Sequence, residues 1–316
     1  MKPALLRTHV VDEVAVIYLQ RLRDDPRFDV ECVGASDPAI PRREKMVLVI
    51  SSQYGCPVGC TTCDAGGAFH GNLTRDEILA QVAFLLERWA GPEVARCEKF
   101  KVQFARMGEP SLNPAVLEAL EALPALVPAP GLMPCVATMA PRGREAWFES
   151  LLELRHRVYP KGAFQLQFSI QSSSDAHRDR MIPVPKWTPR EIASYAERFV
   201  RPGDRRVSLN FAVARGVPVE PDVIADLFDP RVCMVKLTPL NFTRKARESG
   251  WESAFDHDED PRVRDLAASL RARGFDCIVS VGLPAEARDS ASCGQLRLLA
   301  VAGGAAHAHE GQAHQG

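Results

Sequence analysis

Residues 51–67, SSQYGCPVGCTTCDAGG, set three cysteines, Cys56, Cys60 and Cys63, in a C-x3-C-x2-C spacing. Thiols this close in sequence suit a metal centre, yet a tetrahedral zinc site and a cubane iron–sulfur cluster each require four ligands. His70, seven residues beyond Cys63, could complete a zinc site at an awkward spacing. A cubane with one open iron needs no fourth protein ligand, because a substrate or cofactor can chelate that iron. Cysteines that merely pack in a core are the third reading.

What flanks the loop places it. The segment from Met46 to Ile50 reads as a strand, and LTRDEILAQVAFLLERW reads as a helix with apolar residues at Ile78, Leu79, Val82, Ala83, Leu85 and Leu86. Thr74 and Glu77 supply a capping box at that helix start. Further strand candidates run from Phe100 to Arg106, Leu132 to Thr138, Ala163 to Ile170, Val207 to Ala214, Cys233 to Thr238 and Asp276 to Val281. Helical patterns lie between several of them: PAVLEALEALPALV, REAWFESLLELR, PREIASYAERFV and RVRDLAASLRARG, the last closed by Gly274. Alternation of this kind predicts a parallel sheet in an α/β fold, either a full or partial (β/α) barrel or a doubly wound sheet. The cysteine loop then sits at the C-terminal edge of the sheet, where active sites gather in both architectures.

The ends differ from this middle. Residues 1–44 show one short helical pattern, HVVDEVAVIYLQRLRDD, and a Pro-rich connection, and are expected to form a short N-terminal extension to a core domain at residues 45–298. Residues 299–316, rich in Gly, Ala and His, have too little apolar content to pack and are expected to be a disordered tail. The 39 basic and 40 acidic residues leave a net charge of −1, which offers no long-range attraction for a polyanion and leaves room only for a local basic patch. Nine cysteines without a secretory segment or a membrane-length apolar run predict a cytoplasmic protein with no membrane partner. Cys97, Cys135, Cys233 and Cys277 fall in or beside strands and are expected to be core residues.

Five segments in order carry a family resemblance: SSQYGCPVGCTTCDAGGAFHGNLTRDEILAQV, RMGEPSLNP, FSIQSSSDAHRDRMIPV, KLTPLNFTRKA and SASCGQL. From about Val47 to Leu296 the chain resembles the radical S-adenosylmethionine superfamily, and within it the rRNA adenine methyltransferases of the RlmN and Cfr type. The resemblance implies a partial (β/α)6-type radical SAM barrel and a [4Fe-4S] cluster on Cys56, Cys60 and Cys63. S-adenosylmethionine itself would be the fourth ligand, through its amino and carboxylate groups. By the same resemblance Gly108, Glu109, Thr138, Ser169, Ile170, Gln171 and Asn241 are cofactor-binding residues, with the Glu109 carboxylate accepting from the cofactor's ammonium. The family usually has His where this chain has Gln171, and a Ser-Thr-Ser-Gly type of segment where it has Ala137-Thr138-Met139-Ala140.

Cys293 in SASCGQL corresponds to the family's methyl carrier. A first S-adenosylmethionine methylates that thiol; a second is cleaved reductively, and the resulting radical removes hydrogen from the methyl, which then adds to an electron-poor sp2 carbon. The resemblance further implies an external electron donor of the flavodoxin or ferredoxin type, RNA as a partner, and action as a monomer. Two departures accompany it. The family's second catalytic cysteine, seven positions before the first cluster ligand, is Val49 here, and the family's upstream glutamate base has only Asp37 or Glu31 as counterparts. Only a short segment precedes Val47, where the rRNA enzymes carry a larger accessory domain. Alternatives to a methyltransferase acting on an RNA adenine or related heterocycle are a radical enzyme for a small molecule or peptide, and a non-catalytic iron–sulfur protein. Cys32, the only cysteine upstream of the loop, could replace the missing thiol if its segment folds as a strand beside the first barrel strand.

Overall fold

The computed structural model describes residues 3–11, 14–281 and 297. Among these, ten strands form one sheet in sequential order. Strands β1 (Ala4–Val11), β2 (Ala15–Arg21) and β3 (Asp29–Ala35) pair antiparallel, and β3 pairs antiparallel with β4 (Met46–Ile50). From β4 onward every pairing is parallel, through β5 (Phe100–Phe104), β6 (Leu132–Thr138), β7 (Gln165–Ser169), β8 (Val207–Val213), β9 (Cys233–Pro239) and β10 (Cys277–Val279).

Helices α1 (Arg75–Leu85), α2 (Ala115–Leu126), α3 (Glu145–Val158) and α5 (Pro189–Phe199) stand where the periodicity predicts them, as does α8 (Pro261–Ala272). The Thr74–Glu77 capping box forms, with Thr74 N donating to Glu77 Oε2 at 2.8 Å. Three short helices carry too few turns to show a period: α4 (Asp175–Met181), α6 (Pro221–Leu227) and α7 (Arg244–Glu248).

The helical pattern expected near the N-terminus is overturned: the segment HVVDEVAVIYLQRLRDD contains the end of β1 and all of β2, which pair antiparallel. The β-branched and aromatic run Val14–Leu19 favours a strand. Both faces of β2 are largely buried, so its apolar residues lose the two-residue period that would have marked it. The Cys32 segment is a strand beside the first barrel strand, as expected, and lies in register with Val33 opposite Val49.

The parallel strands separate two environments. Met46, Leu48, Ile50, Phe100, Val102 and Phe104 are fully buried against the helices. The alternate positions, among them Lys101, Gln103, Gln165 and Gln167, face the other way and line a cavity with residues of β9 and β10. Side chains six strands apart can share one cavity only if the sheet curls, which makes it an open, partial barrel with a polar interior. Cys97, Cys233 and Cys277 pack in the core, as expected, whereas Cys135, though buried, lines the polar cavity instead. Among the described residues no helix is long and apolar enough to cross a membrane. The expected tail, 299–316, lies outside them.

Candidate active site

The loop between β4 and α1 carries Cys56, Cys60 and Cys63, each half-buried and none in a disulfide. Glycine makes its tight path possible. Gly55 and Gly59 have φ of 83° and 66°, and a Cβ on Gly66 would stand 2.8 Å from the Gly59 Cα. Thr61 N donates to Met181 O at 3.0 Å, at the end of α4. Asp64 accepts from Arg244 N at 2.9 Å and Lys245 N at 3.0 Å at the start of α7. Thr243 Oγ1 donates to Thr62 O at 3.1 Å. The loop is therefore fastened to two helices far along the chain.

Cys56 and Cys60 rest on an apolar wall that includes Val58, Met139, Met181 and Leu240. Burial pushes the Cys56 thiol up to about 11 and the Cys60 thiol up to about 12, with the Lys245 ammonium opposing the rise at both. Among the described residues no three His, Cys, Asp or Glu side chains converge on a single-ion site. His70 joins no such group among the described residues, so it does not complete a zinc site with the loop cysteines. A cubane places each thiolate on a different iron, and three separated thiols on one glycine-rich loop over an apolar floor fit that demand.

Gly108 and Glu109 follow β5 and brace the loop's stem. Gly108 has φ of 101°, and a Cβ there would meet Gln53 Cβ at 2.6 Å and Ser52 Oγ at 2.7 Å. Glu109 N donates to Gln53 Oε1 at 2.8 Å. The Glu109 carboxylate, 5% exposed, is held by protein donors: Oε1 accepts from Thr138 Oγ1 at 2.5 Å, Ser111 Oγ at 2.7 Å and Ser111 N at 3.1 Å. Oε2 accepts only from Met139 N at 3.0 Å. Burial pushes this carboxyl up, and the Thr138, Met139 and Ser111 donors oppose it. No Lys or Arg among the described residues forms an ion pair with it, and Oε2, with one donor among those residues, keeps unused acceptor capacity.

The other residues carried over by resemblance lie on the same rim. Ser169 ends β7, and the Ile170 and Gln171 amides donate to Asn210 O at 2.9 and 3.2 Å. The Ile170 side chain is in the core, so only its backbone can face a ligand. Gln171 has φ of 68° and its Oε1 accepts from Ala212 N at 2.9 Å, a bond to β8 that an imidazole ring nitrogen would have to replace. Asn241 is exposed and lines a pocket with Trp251, whose Nε1 donates to Thr61 Oγ1 at 2.8 Å in the cysteine loop.

Cys293 lies outside the described residues. Arg297, four positions after it, donates its backbone N–H to Glu31 Oε1 at 2.8 Å. Glu31 is fully buried on β3 and paired with Arg106 at the end of β5, at 2.7 and 2.8 Å. Asp37, by contrast, stands near the surface 3.7 Å from Lys45. The idea that Cys32 substitutes for the thiol missing at Val49 is overturned. Val33 is the residue opposite Val49, and successive strand residues point to opposite faces, so Cys32 points into the helix-side core with Leu48 and Ile50. There, complete burial drives its thiol well above the ordinary range.

Several residues that build the site escaped the sequence reading. Gln53, Gln81, Asp64 and Asn113 each make bonds to partners distant in sequence, Asn113 Nδ2, for example, donating to Ser52 O and Leu73 O, both at 2.8 Å, while Ser111 holds Glu109 two residues before it. The clue for Ser111 and Asn113 was their place in RMGEPSLNP; Gln81 gave none, being one polar residue within a helical pattern.

No family model matches the chain. A protein of Thermosynechococcus vestitus named probable dual-specificity RNA methyltransferase RlmN is 29% identical over 280 residues, 85% of this chain and 73% of that protein. One of the same name from Parafrankia sp. is 30% identical over 267 residues, 80% of this chain and 66% of that protein. The solved structure of a radical SAM methyltransferase from Sphaerobacter thermophilus matches with a TM-score of 0.69 at 22% identity, covering 93% of this chain and 81% of that one. The fold is thus the expected radical SAM partial barrel.

Proposed function

We propose that this chain, a homologue over most of its length of the RlmN-named radical S-adenosylmethionine methyltransferases, is itself such an enzyme and methylates an sp2 carbon of an RNA adenine or related heterocycle. The observation that carries the reading is the meeting of the three-thiol loop with the buried, cation-free Glu109 carboxylate at one end of the barrel. Cys56, Cys60 and Cys63 would hold a [4Fe-4S] cluster, which, fed by an external donor of the flavodoxin or ferredoxin type, would supply the electron for reductive cleavage of S-adenosylmethionine. The protein's own residues do the rest. Glu109 offers a lone pair to the ammonium of the bound cofactor, and Thr138 and Ser111 hold that carboxylate in one orientation. Gly108 lets the strand end approach the loop stem. The backbone of Ser169 to Gln171 and the Asn241 side chain complete the rim. Met139 and Leu240 keep the cysteine loop dry on its inner side.

In this reading Cys293 carries the methyl group to be transferred. The Glu31 and Arg106 pair is tied to Arg297, close in sequence to Cys293, and of the two upstream acids Glu31 is the one at the rim. Val49 offers no thiolate to release a product linked to Cys293, so release follows another route. The enzyme is read as a cytoplasmic monomer.

Anaerobic reconstitution followed by metal analysis and product mass spectrometry tests the assignment. About four irons per chain are expected, together with 5′-deoxyadenosine formation that is lost in Cys56→Ala, Cys60→Ala and Cys63→Ala. Cys293→Ala keeps its iron and forms no methylated RNA. Stoichiometric zinc, or full cleavage activity in a loop-cysteine variant, overturns the cluster assignment. Methylated product formed while Cys293 stays unmodified overturns the carrier role.

A further inference from the structure

The polar interior of the barrel holds a cavity of about 320 Å³ that runs from Ala105 and Ala137 near the C-terminal ends of β5 and β6 to Lys45 and Lys99 before β4 and β5. Five cations line it. Lys101 and Lys236 point inward from β5 and β9, while Lys45, Lys99 and Arg205 stand just before β4, β5 and β8. Four of them stand at or before the N-terminal ends of the strands and Lys236 at the middle of β9, whereas Cys56, Glu109, Gln171 and Asn241 follow the C-terminal ends. Among the described residues no Asp or Glu lines this space. Lys45 has a 3.7 Å contact with Asp37; Lys99, Lys101, Lys236 and Arg205 form no ion pair and no side-chain hydrogen bond with a described residue.

Like charges gathered in a partly enclosed, low-dielectric space repel, and ammonium groups lose hydration there without recovering a partner. Both costs register on the lysines. Lys99 is held below the usual amine range by burial and then by Lys101, Arg205 and Lys45; Lys236 is lowered by burial and by Lys101 and Lys45, with Cys135 opposing. Gln103, Gln167 and Ser208 add neutral donors on the same wall. A cage of point cations and amide donors with no carboxylate among the described residues matches a compact, multiply charged oxyanion, for which lysine is a common partner. The volume lies at the lower end of small-ligand pockets, too small for a large cofactor.

We propose that the N-terminal end of the barrel interior is a second ligand site, separate from the cluster site, for an oxyanion of the phosphate or pyrophosphate class. The site does not depend on the cluster chemistry, so the two assignments stand or fall separately. Its ligand is a free phosphorylated molecule or a phosphate of a nucleic acid, both presenting the same tetrahedral oxyanion.

Thermal unfolding and calorimetric titration of the full chain with inorganic pyrophosphate, against sodium chloride at matched ionic strength, test the site. Pyrophosphate is expected to bind one per chain and to raise Tm by a few degrees beyond the chloride control. Lys101→Gln and Lys236→Gln each relieve repulsion, so they raise Tm without ligand while weakening pyrophosphate by about tenfold or more; Lys236→Arg, which keeps the charge, retains binding. A short oligoribonucleotide that displaces pyrophosphate from the wild type identifies a nucleic-acid phosphate as the ligand; failure to displace it identifies a free small molecule. The proposal is overturned if chloride stabilises as much as pyrophosphate, or if the Gln variants bind pyrophosphate as the wild type does.

Discussion

Replacing Glu109 by glutamine removes a full negative charge while keeping the side chain's length. The amide oxygen can take the place of Oε1 and accept from Thr138 Oγ1, Ser111 Oγ and Ser111 N, so most of the local network survives. The amide nitrogen then faces Met139 N–H, donor against donor, where Oε2 now accepts at 3.0 Å. One orphaned buried donor costs about 1–3 kcal/mol, partly offset because a desolvated charge has gone. The variant should therefore fold and take up iron. Binding of S-adenosylmethionine suffers more directly: a hydrogen bond to a charged partner contributes about 1.5–3 kcal/mol, which at about 1.4 kcal/mol per decade is a loss of roughly 10- to 150-fold in Kd. Glu109→Ala orphans the Ser111 and Met139 amides together and should lose stability as well as affinity. The assay is equilibrium binding of S-adenosylmethionine to anaerobically reconstituted protein, with iron content and urea midpoint measured on the same samples. A Glu109→Gln variant with wild-type iron and a Kd within about twofold of the wild type would falsify the role of Glu109 as the ammonium partner.

Three further outcomes are expected. Arg106→Leu leaves the fully buried Glu31 without its guanidinium and should lower unfolding stability by about 3–5 kcal/mol, most of which Glu31→Gln added to it restores; a cost below about 1 kcal/mol would mean that water reaches the pair. With the Cys56 and Cys60 thiols held at about 11 and about 12 against an ordinary 9.0, the folded apoprotein keeps protons that the unfolded chain releases, so their stabilising contribution is whole below pH 9 and is lost as pH rises toward 11 and 12. At pH 8 the Cys56 thiolate fraction drops about a hundredfold, and the higher nucleophilicity of the more basic thiolate recovers about tenfold; iodoacetamide should label it about tenfold more slowly in folded than in urea-unfolded apoprotein, and equal rates would contradict the burial. Cys32→Ala should leave turnover unchanged and trap no adduct, because its side chain lies on the helix side of β3; a covalent substrate adduct in that variant would show that the face has been misassigned.

Much of this protein was decided locally and could be read from the chain. The alternation of apolar strands with amphipathic helices between Met46 and Val281 depends on periodicities that a sequence displays directly, and the structure follows it closely from β4 to β10. The cysteine spacing and the Thr74 cap are likewise local, whereas the glycine at 108 answers partly to Ser52 and Gln53, more than fifty positions before it. The N-terminal strands were not legible, because burial on both faces of β2 erases the two-residue period and only pairing with β1 and β3 selects strand over helix. Nor could the sequence say which way Cys32 points: a shift of one residue in the β3–β4 register would exchange it with Val33, and that register depends on contacts between strands. The anchoring of the cysteine loop by Asp64 to α7, and the gathering of five cations from β4, β5, β8 and β9 into one cavity, involve residues up to nearly two hundred positions apart. Such groupings follow from how the sheet curls, a property of the whole set of strands that no single stretch of chain contains.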